Sequence, residues 1–200
     1  MDSAFPRLDE VLRYFSASWR MMLGHADGLR GLDLTADGFW TSFSALVVAL
    51  PPIALSWIAS ESLQPADASR LAGPLTVYAA HAAADLTAWL LPVLILMMLA
   101  RPLGMTRTIV PIVVAGNWGS ALLSWATAPY WVLMMLFGAG EGMLLLSSLM
   151  TLAMVVLTAR LLFVATDRDY SAAIAITALM VVASLLSYAA VGDVTGIELI

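Results

Sequence analysis

The chain has 200 residues, of which 62% are hydrophobic and 12% charged, with a formal charge of −5. A water-soluble surface cannot be assembled from that ratio, so the composition excludes a soluble globular protein and places the chain in a membrane. The charges lie at the termini and in short connections, so the net value implies no nucleic-acid surface. The lack of cysteine excludes disulfides, thiolate metal sites and a cysteine nucleophile.

Residues 1–38 precede the first long apolar run and read as a cytoplasmic segment. Within it Leu8, Val11, Leu12, Phe15, Trp19 and Met22 recur at spacings of three and four, which predicts an amphipathic helix over about residues 7–23, with Pro6 suited to its start. Such a helix either lies along the inner membrane surface or packs its apolar stripe against the cytoplasmic ends of a bundle. The stretch HADGLRGLDLTADG, residues 25–38, reads as a connection in which Thr35 or Asp37 caps the first span. A cleaved secretory signal is not expected, because several acidic residues precede the first apolar run.

A helix that crosses the hydrocarbon needs about 20 apolar residues. Runs of that length predict spans over about residues 39–59, 75–100, 142–164 and 170–191. The uncharged stretch 108–140 is too long for one ordinary span and too short for two. Pro129 divides it into a span over about 109–128 and a piece, YWVLMMLFG, that packs at the interface or extends the helix past a kink. All nine basic residues apart from the histidines are arginine, and with abundant Ala, Gly and Leu this points to a GC-rich bacterial genome. With five spans Arg7, Arg13, Arg20, Arg30, Arg101, Arg107, Arg160 and Arg168 fall on one side and only Arg70, with Glu61 and Asp67, on the other. Basic residues stay in the cytoplasm, so the N-terminus is expected inside and the tail, residues 192–200, in the periplasm of a bacterial inner membrane. The expected fold is all-α: a polytopic transmembrane bundle of five spans with an N-terminal amphipathic interfacial helix.

His81 and Asp85 stand one helical turn apart in the otherwise apolar VYAAHAAADLTAWLLPVL. A bare aspartate in hydrocarbon costs roughly 2.5 to 3.5 kcal/mol on insertion scales, so Asp85 must face protein or water. Its depth is open between the midplane and a level near the external surface. The pair is a proton-relay or ion-coordinating site, a structural tie to a neighbouring span, or simply exposed at the interface. Asn117, in VVAGNWGSALL, is the other strong polar group within a span, and a bond from it to Asp85 would join the second and third spans. Ala115 with Gly119, and Gly116 with Ser120, are small residues four apart that let another helix come close. Glu141, in FGAGEGML, reads as a carboxylate at an external helix start, where the helix dipole favours it.

The chain lacks phosphate-cradling, zinc-protease, nucleophile-elbow and dinucleotide motifs, and its two histidines are kept apart, His25 in the cytoplasmic segment and His81 within the second span. No catalytic residue, cofactor or metal is therefore expected, and the methionines read as packing groups. Trp118, Trp125 and Trp131 read as an exterior for docking. The N-terminal helix, the five spans, ARPLGMTRTIVPIVVAGNWGSALLSWATAPYW, and ARLLFVATDRDYSAAIAITALMVVASLL leading into an alanine-rich last span together resemble the bacterial branch of the Yip domain family. The resemblance covers roughly residues 8–191, and where the family has a glycine pair after the second span this chain has only Gly104. Eukaryotic members of that family interact with trafficking GTPases and shape membranes, so the resemblance implies a scaffold or partner-binding protein. The expected function is a non-enzymatic scaffold, assembly factor or accessory subunit whose partners are the bilayer and another membrane protein or a second copy. The competing expectation is a small transporter or proton-coupled permease built on His81, Asp85 and Asn117, with Pro51, Pro52, Pro92 and Pro111 allowing helix distortion.

Overall fold

The computed structural model describes residues 6–63, 73–102, 104–197 and 199, and the expected external loop with Arg70 and Asp67 lies outside them. The described residues are helical with no strand: α1 Leu8–Met22, α2 Ala36–Thr41, α3 Ser44–Leu63, α4 Pro74–Leu99, α5 Ile109–Phe137, α6 Glu141–Ala165 and α7 Tyr170–Thr195. Five helices are long and apolar enough to cross a membrane, α2 and α3 forming one of them. The protein is thus a polytopic five-span helix bundle. In space the spans do not follow chain order. α3 packs on α5, α5 on α6, α6 on α7 and α7 on α4, so the first and second spans meet last.

Prolines decide several local details. α5 does not stop near Ala128 but continues through Pro129 to Phe137, where Gly138, at φ 73°, ends it. Proline has no N–H, so Pro52 inside α3 leaves the Val48 carbonyl without its helical donor. Trp125 of α5 supplies the missing bond, its indole Nε1 donating to the Val48 carbonyl at 2.9 Å. In a bilayer, where no water reaches that carbonyl, the rescue fixes α5 to α3.

α1 does not lie free on a membrane surface but packs against α5 and α6. Its buried face is also rotated from the expected stripe: Val11, Tyr14, Ala17, Ser18, Met21 and Met22 are buried, whereas Leu8, at 74% exposure, Leu12 and Trp19 are not. Small side chains cause the rotation. Ala17 lets the short 3-10 turn Ala26–Gly31 come so close that a Cβ on Gly28 would lie 2.6 Å from the Ala17 carbonyl. Tyr14 meanwhile packs at a tilt against Trp118 of α5 with ring centroids 4.6 Å apart. The exposed row of Leu8, Leu12, Trp19 and Leu23 gives α1 a second apolar face, directed away from the bundle.

At this side of the bundle the start of α2 is capped by a side chain. Thr35 accepts a hydrogen bond from the Gly38 amide and so caps α2, and Asp33 in turn accepts from the Thr35 amide and hydroxyl. Those two bonds hold the Asp33 carboxyl below the usual carboxylate range. Arg160, expected in a loop, lies within α6 and donates to the Leu23 carbonyl at the end of α1, at 2.6 Å. The dense core lies here as well. Trp118, Met21, Met22, Leu161, Leu162, Val113 and Val114 are the largest fully buried side chains. Gly119 belongs to this core: a Cβ there would lie 2.6 Å from Leu161 and 3.3 Å from Met22, so the glycine is what lets three helices meet. Trp118 is therefore core rather than docking surface, with 1% of its area exposed, and Trp125 is engaged with α3.

Candidate functional site

The polar side chains within the spans gather into two bonded groups, one on the far side of the bundle from α1 and one, around Asn117 and Ser42, beside the α1 end. α3 runs away from the α1 end and α4 runs back, so residues four apart on one helix face residues four apart on the other in antiparallel order. Trp57 and Glu61 on α3 meet Asp85 and His81 on α4 in this way. The Trp57 indole Nε1 donates to Asp85 Oδ2 at 2.6 Å, and His81 Nε2 lies 3.1 Å from Glu61 Oε1. The rings of Trp57 and His81 stack between the two bonds, with centroids 6.2 Å apart and planes 21° apart. Glu61, expected in the external loop, thus belongs to the last turn of α3, and His81 is buried beneath it.

Asp85 is the twelfth residue of α4, about 16 Å along its axis from Pro74, which resolves its depth to the middle of the helix. Its second oxygen, Oδ1, accepts from the hydroxyl of Tyr188 on α7. One carboxylate therefore joins three spans through two neutral donors. Among the described residues no arginine lies within 4 Å of it.

Asn117 belongs to a different group. Its Oδ1 accepts from the Trp89 indole of α4 at 2.9 Å, and its Nδ2 donates at 2.9 Å to Ser42 Oγ, which itself donates to the Phe39 carbonyl. Because an indole nitrogen can only donate, the amide orientation follows from the chemistry. Ser42 sits at the break between α2 and α3, so this chain ties α5 to α4 and to the joint within the first span. The direct bond expected between Asn117 and Asp85 is not made. Each is held by a tryptophan 28 residues earlier in the chain. His81 and Asp85, although one turn apart, likewise bond outward to α3 rather than to each other.

What brings Asp85 and Asn117 together is a cavity of about 270 Å³ whose lining includes both. All five spans contribute to it: Ile53 from α3, Trp89 from α4, Ser120 from α5, Thr158 from α6 and Ser184 from α7 are examples. Gly116 lines this cavity and has open space where a Cβ would be, unlike Gly119 one turn on, so only one of the two expected small-residue pairs is a helix contact. Pro92 also lines it, and Ala88, whose carbonyl Pro92 cannot satisfy, is beside it. His81 takes no part. Glu141 is remote from both groups: it is the exposed first residue of α6, following Gly140.

Sequence reasoning missed Trp57, Tyr188, Trp89 and Ser42. The available signal was that an indole or phenol within a span needs an acceptor when it is covered, and the acceptors within spans are few. No family model matches the chain, and no curated protein or solved structure is significantly similar to it.

Proposed function

We propose that the chain is a non-enzymatic scaffold, assembly factor or accessory subunit of a complex in a bacterial inner membrane, with its N-terminus cytoplasmic and its C-terminus periplasmic. The observation that carries this reading is the fate of the intramembrane polar groups. Asp85, His81 and Asn117 are each spent on bonds to neighbouring spans, to Trp57 and Tyr188, to Glu61, and to Trp89 and Ser42. Groups bound in that way stiffen a bundle and do not converge on a reacting atom. The resemblance to bacterial Yip domain proteins favours the same class. Its partners would be lipid and another membrane protein or a second copy, not nucleic acid, and no metal or cofactor is invoked. The leucines of α6, Leu144, Leu145, Leu149 and Leu152, remain uncovered by the chain itself and are available to such a partner.

A second reading, a small transporter or proton-coupled permease, is favoured by the cavity that all five spans line around Asp85 and Asn117. Asp85→Asn keeps the shape of the side chain and removes its charge, so it separates the two. Pulldown from native membranes and flux measurements in proteoliposomes are made on the same variant, with folding checked by thermal melting. A scaffold keeps its melting transition within a few degrees and shows no pH-driven flux in either form, while a co-purifying protein is retained by the parent chain. A pH-dependent flux that the parent carries and the variant loses would overturn the scaffold reading in favour of transport.

A further inference from the structure

At the α1 end, on the outer side of α6 and α7, a groove of about 530 Å³ is unused by either polar group. Its walls are apolar and come from two membrane spans: Val156 and Phe163 of α6, Ala173 and Ile174 of α7. Its rim carries two guanidinium groups, Arg160 from the last turns of α6 and Arg168 from the turn between the helices. Phe163 and Tyr170 stack across the rim with centroids 4.1 Å apart, an aromatic ledge of the kind that settles at headgroup level.

Charge makes the groove selective. Asp167 and Asp169 are close in sequence, but Asp169 accepts from the Ala172 amide as the cap of α7, and no carboxylate among the described residues lies within 4 Å of either guanidinium. Arg160 donates through Nη2 to the Leu23 carbonyl, which anchors the guanidinium and leaves its other N–H groups to serve an anion. Two guanidinium groups that, among the described residues, have no carboxylate within 4 Å stand above an apolar trough between two spans, and together they match one class of molecule. We propose that this groove binds an anionic phospholipid, its phosphate between Arg160 and Arg168 and the upper part of one acyl chain along Val156, Phe163 and Ile174. Because Arg160 also holds the end of α1, the bound headgroup would brace the junction of α1 with α6. The inference is independent of whether the bundle is a scaffold or a transporter.

The test uses the full chain in nanodiscs of phosphatidylcholine with a minor fraction of phosphatidylglycerol, followed by native mass spectrometry of retained lipid. Phosphatidylglycerol should be enriched over its bulk fraction. The Arg160→Gln/Arg168→Gln variant should lose roughly ten- to thirtyfold of that preference, as expected for two arginines near an anionic surface. Arg168→Gln alone, which leaves the bond to Leu23 intact, should lose part of it and keeps the proposal testable if the double variant fails to fold. Inorganic phosphate or soluble glycerol phosphate should not compete at millimolar concentration, since the acyl chain supplies part of the affinity. No enrichment in the parent chain, an unchanged preference in Arg168→Gln, or full competition by phosphate alone would each overturn the proposal.

Discussion

At the α1 end Trp118 lies buried among Tyr14, Phe15 and the side chains around Gly119. In the opposite half the fully covered positions are mostly small, Ala59, Ala80, Ala84 and Ala183. There the spans are joined by Trp57, Asp85, Tyr188, Glu61 and His81 instead. The contrast separates two ways of holding helices in a membrane. Bulky side chains meshing over a glycine gain dispersion contacts that lipid cannot match as densely. Where α3 meets α4 the helices are not closely packed, and hydrogen bonds between spans take over. Such bonds contribute only about 0.6 kcal/mol each on average, because an unassembled span also finds partners in the membrane. One end is therefore a packed knot and the other a set of directional ties.

Trp118→Ala attacks the knot and should have the largest effect. Removing a fully buried indole costs about 3–5 kcal/mol, read as a shift in the unfolding midpoint in mixed micelles, with loss of α1 protection in hydrogen exchange. A cost under about 1 kcal/mol would mean that the core is not where the bundle is held. Trp57→Phe attacks the ties, keeping the ring beside His81 while removing one donor to Asp85. It should cost about 0.5–1.7 kcal/mol, with faster exchange confined to α3 and α4. An effect as large as that of Trp118→Ala would erase the distinction between the two halves. Asp33→Asn probes the rim of the knot and should have the smallest effect, below about 1 kcal/mol. Because the folded carboxyl titrates below its ordinary value of 3.8, its contribution is present above that pH and is lost as pH falls through the lower folded value. The variant should accordingly show a flatter stability profile below pH 4 than the parent chain. An unchanged acid slope would mean that the Thr35 bonds do not hold this joint.

Much of the architecture was legible because a bilayer imposes a length rule on apolar runs, and each long run became a helix. The sequence also singled out Asp85, His81 and Asn117 as groups that need partners, since an intramembrane polar group without one is costly. The partners themselves were not legible. Glu61 to His81 spans 20 residues and Tyr188 to Asp85 spans 103, and nothing in the local pattern says that α4 packs along α7 rather than along its chain neighbour α5. α1 illustrates the same limit on a smaller scale. Periodicity marked an apolar stripe through Leu8, Leu12 and Trp19, but two apolar faces exist, and the one that is buried is the one where Ala17 allows close approach.

Composition and periodicity by themselves determined that this chain is a helical membrane protein with five spans and a leading amphipathic helix, because the cost of exposing backbone and charge to lipid is set residue by residue. Only the tertiary structure decided that Asp85 answers to α3 and α7, that Asn117 answers to Trp89 and Ser42, and that a cavity lies between them. Those outcomes depend on the order in which the spans stand around the bundle. That order is settled by shape, by glycine at one end and tryptophan donors at the other, which no single helix carries alone.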